Sequence, residues 1–176
     1  MNIKKLEEMR YSILSDVEKE FTDELVPAKL TDKEDNDIPI LNVIITGSDE
    51  GIGSASGEFF FLPSSPGDEI QYFVNLITLI EGIPEENLDE LCVAVAGINT
   101  YVTCGAFAVD FAAGNLIYKY VCPMIADAPE GNIRENVDLS MGCAFQAVTD
   151  FGYLMTEVCE GIRSAESAIE VITGEV

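Results

Sequence analysis

Between Val43 and Gly53 the chain reads Val-Ile-Ile-Thr-Gly-Ser-Asp-Glu-Gly-Ile-Gly, a TGxxxGIG string behind an apolar run. Glycines so spaced can cradle a pyrophosphate when a strand enters the loop and a helix leaves it, because the free N–H groups of the helix start receive the anion. Here the exit is Ser54-Ala-Ser-Gly-Glu-Phe-Phe-Phe-Leu-Pro63, which is turn and then strand. Asp49 and Glu50 would set two negative charges beside the phosphates. The expected structure is a glycine-rich loop, Gly47 to Gly57, between antiparallel strands, with no cofactor.

The string resembles the cofactor loop of short-chain dehydrogenases, but their Tyr-x-x-x-Lys pair is absent: no Tyr is followed four residues later by Lys. The chain has no His, which removes Ser-His-Asp and Cys-His arrangements and the usual His-based zinc sites. Asp32, Glu34, Asp35 and Asp37 gather oxygen ligands but lack the glycine and closing Glu of a calcium loop, so they read as a solvated linker. Glu85, Glu86, Asp89 and Glu90 crowd a helix start, where the dipole favours anions, rather than facing each other across a cleft. Cys92, Cys104, Cys122, Cys143 and Cys159 form no CxxC, and each lies among apolar or small residues. Buried free thiols are expected. Neither a catalytic residue nor a metal ligand is expected, and the chain reads as a non-enzyme.

Charge narrows the partners. Nine Lys and Arg stand against 32 Asp and Glu, a formal charge of -23 over 176 residues, and no Lys or Arg occurs between Glu34 and Tyr118. That excludes nucleic acid, whose phosphates require cations, and disfavours an anionic membrane surface. No apolar run reaches the ~18 residues of a spanning helix. The charged start, Met-Asn-Ile-Lys-Lys, is no signal peptide. A cytoplasmic protein is expected, and 48% apolar content makes it globular.

The elements that must position these residues follow from periodicity. Ile3, Leu6, Ile13, Leu14, Val17, Phe21 and Leu25 recur at helical spacing, predicting a helix over 3–25 that Pro27 ends. Strands are expected over 38–46, 58–62 and 70–80. In the third, Ile70, Tyr72, Val74, Leu76 and Ile80 share one face, and Phe73, Ile77 and Leu79 the other. Pro84 opens a helix to about 101. Two alternating segments, 105–111 and 116–122, flank a hairpin loop at Ala112–Asn115. From 133 to 172 the pattern is helical, interrupted by Gly142, Gly152 and Gly161. At Gly142 and Gly152 a break or a close helix approach is expected; Gly161 would end the main helix and leave a short terminal one. The order is α-β-β-β-α-β-β-α: a single α+β domain over 1–176, with a mainly antiparallel five-stranded sheet. The N-terminal helix and the long C-terminal helix are expected on one side of it.

The stretch from Leu88 to Met124 includes Gly-Ile-Asn99, then Gly105-Ala-Phe107-Ala-Val-Asp110, then Gly114-Asn-Leu-Ile-Tyr118-Lys-Tyr-Val-Cys-Pro. It resembles the YbjN-like family of bacterial proteins, described as sensory transduction regulators. In that family a helix ends near an Asn, and a Gly-x-Phe-x-x-Asp strand runs into a hairpin. The order of elements also resembles the type III secretion chaperones of the CesT/Tir class, which are small acidic cytoplasmic dimers that wrap a segment of a secreted protein. The resemblance implies that fold and a noncatalytic role, and it supplies no catalytic residues.

The expected function is therefore a noncatalytic protein- or peptide-binding module, regulator- or chaperone-like, acting as a homodimer. The alternative is a small-molecule-sensing module of the same fold; an enzyme using Cys or carboxylates ranks below both. Phe59, Phe61, Tyr72, Phe107, Tyr118 and Tyr120 are the candidates for a partner or dimer surface, against the ordinary preference of such side chains for the core.

Overall fold

A computed structural model of the chain describes residues 3–31, 38–46 and 54–174. In chain order it contains α1 (Ile3–Asp23), β1 (Ala28–Leu30), β2 (Leu41–Thr46), β3 (Ser54–Phe61) and β4 (Ile70–Glu81). A 3-10 turn over Glu85–Asn87 then leads into α2 (Leu88–Ile98), β5 (Ala106–Asp110), β6 (Asn115–Ile125), α3 (Glu130–Cys159) and α4 (Ala165–Thr173). The fold is α+β, with one antiparallel sheet in the order β1-β2-β3-β4-β6-β5.

The sheet has six strands where five were expected. The extra strand, β1, is three residues long, too short to show a period of two. It exists because β2 offers a partner, with Ala28 opposite Val43 and Leu30 opposite Leu41. The Glu18 carboxylate of α1 also accepts from Leu30 N at 2.7 Å. Elsewhere alternation holds. On β3 the odd positions Ala55, Phe59 and Phe61 are buried, and on β4 so are Phe73, Ile77 and Leu79.

The chain divides into two compact units. One comprises Met1–Ile45, Ser56–Leu76 and Tyr120–Gly142, and the other Thr46–Ala55, Ile77–Lys119 and Cys143–Val176. Strands β2, β3, β4 and β6 and helix α3 contribute to both. In the first unit, Leu6, Ile13, Leu14 and Val17 of α1 are buried, as are Leu41 and Val43, Phe59, Phe61 and Phe73, and Ile133 and Val137 of α3. Phe61 and Phe73 meet with ring centroids 5.0 Å apart. Arg10 of α1 donates to Gln71, and Asn75 donates to Ser140 of α3 at 2.6 Å. Gln71 and Asn75 are alternate residues of β4, so within this unit both helices address the same face of that strand.

In the second unit, Leu91, Ala94 and Ile98 of α2 are buried, with Phe107 of β5, Leu116 and Tyr118 of β6, and Leu154, Met155 and Val158 of α3. Helix α3 runs unbroken through Gly142 and Gly152 and ends before Gly161. A residue in the left-handed conformation lets the next N–H reach back over the last turn. Gly161, at φ 71°, does this: Ile162 N donates to Glu157 O at 2.9 Å. Helix α1 closes identically, with Val26 N donating to Phe21 O at 2.8 Å, but the left-handed residue there is Leu25, at φ 63°.

The TGxxxGIG loop lies outside the described residues beyond its first Thr, as do Asp32, Glu34, Asp35 and Asp37. Its flanks are β2 and β3, neighbours in the sheet, so the loop leads to a strand and not to a helix. Among the described residues, no helix is long and apolar enough to cross a membrane.

Candidate functional site

Helix α1 carries Ile3, Leu6, Glu7, Arg10 and Leu14 on one line of its surface, because residues three and four apart stack over each other. These five form one wall of a cavity of about 240 Å³; Ile38 and Pro39 form a second wall, and Phe61, Pro63 and Ser64 at the end of β3 a third. All ten belong to the first compact unit. Seven are apolar, and the charged ones are Arg10 and Glu7.

Arg10 is 7% exposed. Its Nε donates to Gln71 Oε1 at 2.9 Å, one Nη to Leu62 O at 3.1 Å and the other to Ser64 Oγ at 2.6 Å. The guanidinium also lies over the Phe61 ring, 5.1 Å from its centroid. Every one of these partners is neutral. A guanidinium has five N–H groups, so two remain beyond the three so used. Beside it the side-chain Nε2 of Gln71, fully buried, has no acceptor. Burial pulls the Arg10 pKa below its ordinary value, while the charges of Glu7 and Asp68 push it back up. Among the described residues no carboxylate stands within ion-pair distance of Arg10, whereas Arg134 has Asp138 and Glu20, and Arg163 has Glu157.

Sequence analysis did not single out Arg10, although a signal was there. In the stripe Leu6, Arg10, Ile13, Leu14, Val17, a cation occupies a position at which helical spacing calls for an apolar side chain. Of the six aromatic residues expected at a partner surface, Phe59, Phe61, Phe107 and Tyr118 are buried inside the chain. Tyr120 is half-buried and Tyr72 is 44% exposed. The structure does not bring the six together as one surface. It puts Phe61 in the cavity wall and leaves Tyr72 on the opposite, open face of β4 with Ile70.

The residues that carry the family resemblance have structural uses. Asn99, at the end of α2, donates from Nδ2 to Phe107 O and accepts at Oδ1 from Phe107 N, both at 2.9 Å, as a neighbouring strand would. Gly105 stands at φ 70°, where an added Cβ would meet the Tyr118 hydroxyl and Lys119 O. Tyr118 Oη donates to Cys104 O at 2.5 Å. Asp110 Oδ1 accepts from Ala112 N and Ala113 N in the hairpin turn.

The other candidates are likewise accounted for. Glu90 accepts from Ala165 N at 2.7 Å and so satisfies the start of α4, and Asn87 donates to Cys159 O at the end of α3. All five cysteines are free, but only Cys159 is buried; Cys92, Cys104 and Cys122 are half-buried and Cys143 is exposed. The expectation of buried thiols is therefore met at one position. Among the described residues, no three or more Cys, Asp or Glu side chains converge as a metal site would require. No protein-family model matches the chain, and no curated protein matches it in sequence.

Proposed function

We propose that the chain is a noncatalytic binding module of the regulator-like kind that its Leu88-to-Met124 stretch resembles, working in the cytoplasm as a homodimer. Of the ligand classes considered, protein segment and small molecule, the small molecule is favoured. One observation carries that choice: the α1 cavity holds a buried guanidinium bonded only to neutral groups. A buried charge with no carboxylate bonded to it is costly, and a cavity with apolar walls and a few polar groups is the usual form of a small-ligand site. Native mass spectrometry of the protein, gently purified from its source, tests this. A retained mass of about 100–150 Da is expected, following from a cavity of about 240 Å³, roughly eight waters' worth of volume. It should be lost in Ile3→Trp, which puts a bulkier side chain in the cavity wall. Retention of the same mass by Ile3→Trp would remove the cavity from the function.

The dimer has separate support. The face of the sheet opposite α1 and α3 carries, within the first unit, Ile44, Ile70, Tyr72 and Ile125, all exposed. Only Lys29 and Glu58 are charged among the residues of β1 to β4 and β6 that share this face there. A nearly uncharged face on so acidic a chain suits a second copy of itself better than a basic partner.

A further inference from the structure

We infer that the α1 cavity binds a small apolar monocarboxylic acid, its carboxylate on Arg10 and its hydrocarbon body against Leu6, Ile38 and Phe61. This deepens the small-ligand function proposed above and rests on it. Around Arg10, which lines the cavity, acceptors are short. Two N–H groups of Arg10 remain beyond its bonds to Gln71, Leu62 and Ser64, and the amide nitrogen of Gln71, bonded to Arg10 through its oxygen, has no acceptor. The missing group is thus an acceptor, and an anionic one answers the buried charge as well. A carboxylate matches the planar fork of a guanidinium with two parallel hydrogen bonds.

The same surroundings limit the charge to one. Glu7 lines the cavity, and Asp68 acts on Arg10 through its charge. A phosphate, at nearly two negative charges near neutral pH, would bring twice the charge of a carboxylate towards both of these acidic groups. The net charge of -23 is felt less, because charges farther than about 8 Å are screened at physiological salt. Volume sets the size. A cavity of about 240 Å³ holds roughly eight waters' worth, which matches the eight heavy atoms of hexanoate.

Titration of the full chain with hexanoate, hexanamide and inorganic phosphate, followed by NMR, tests the assignment. Hexanoate is expected to bind saturably and at least tenfold more tightly than hexanamide, with phosphate weaker than both. Arg10→Met should abolish the preference for the acid over the amide. Because Arg10 also joins α1 to β4, two milder variants keep the test independent of its folding. Glu7→Gln, at an exposed position, should tighten hexanoate about threefold relative to hexanamide. Ile3→Trp should abolish binding of both. Equal affinity for acid and amide, with loss in Ile3→Trp, would overturn the carboxylate assignment while leaving a small-ligand cavity. Absence of hexanoate binding at 10 mM, or binding that Ile3→Trp and Glu7→Gln leave unchanged, would overturn the assignment; a retained native ligand would still show a small-ligand protein.

Discussion

Cys159 ends α3 with its thiol inside the second unit, where burial first, and the charge of Glu160 second, push its pKa above the ordinary value of 9.0. A raised folded-state pKa means that the folded chain keeps the proton while the unfolded chain releases it. The stabilisation is complete below the unfolded pKa and is lost as pH rises from about 9 through the folded value. Urea unfolding of the native chain and of Cys159→Ala at pH 8 and pH 10 isolates this from the other alkaline groups. The native chain should lose more stability than the variant over that interval, and equal losses would show that the thiol titrates alike in both states. Arg10 makes the opposite point about buried polar chemistry. Its hydrogen bonds go to an amide, a carbonyl and a hydroxyl, and the carboxylates of Glu7 and Asp68 act on it through their charge without bonding to it. The bonded partners hold the group in place without neutralising it, unlike the ion pair of Arg163 with Glu157.

At the scale of the element, helices α1 and α3 close with the same backbone geometry and different residues. Gly161 adopts its left-handed conformation freely, whereas Leu25 bears a Cβ penalty of about 1–2 kcal/mol and is 90% exposed, so no packing offsets it. Leu25→Gly should therefore stabilise the chain. After subtraction of the greater entropy of an unfolded glycine, about 0.5–1 kcal/mol, the net gain is expected at about 0.5–1 kcal/mol, read as a higher urea midpoint with an unchanged slope. A lower midpoint would mean that the leucine makes contacts that its exposure conceals. Most elements were legible because their signals are local: the apolar stripe of α1, the alternation of β4, the turn at Ala112–Asn115. Strand β1 was not, since three residues beside Pro27 acquire a structure only from Val43 and Leu41 across the ladder. The aromatic residues failed for a related reason. Alternation places Phe59 and Phe61 on one face and Phe60 on the other, but which face the helices cover is decided by α1 and α3, far away in sequence. The cavity was half legible, because Arg10 interrupts an apolar stripe, while Gln71, Leu62 and Ser64 reach it only through the fold.

At the scale of the whole molecule, charge and apolar surface pull in opposite directions. Each copy carries a formal charge of -23, so two copies repel each other over distances that depend on ionic strength. The screening length falls from about 30 Å at 0.01 M salt to about 10 Å at 0.1 M. The open sheet face, with Ile44, Ile70, Tyr72 and Ile125 exposed, attracts by a term that is neither charged nor weakened by salt. Self-association through that face should accordingly tighten as salt is added, the reverse of an assembly held by ion pairs. Sedimentation equilibrium at 0.01, 0.1 and 0.5 M NaCl should show a dimer whose dissociation constant falls by tenfold or more between the first two salts and changes little thereafter. Tyr72→Glu sets a charge on the open face and should leave a monomer at every salt, with its far-ultraviolet circular dichroism unchanged because the side chain is 44% exposed. A dimer that weakens with salt would place the contact on charged surface elsewhere. A monomer throughout would leave the open face unpaired in the protein's working state and confine its binding to the α1 cavity.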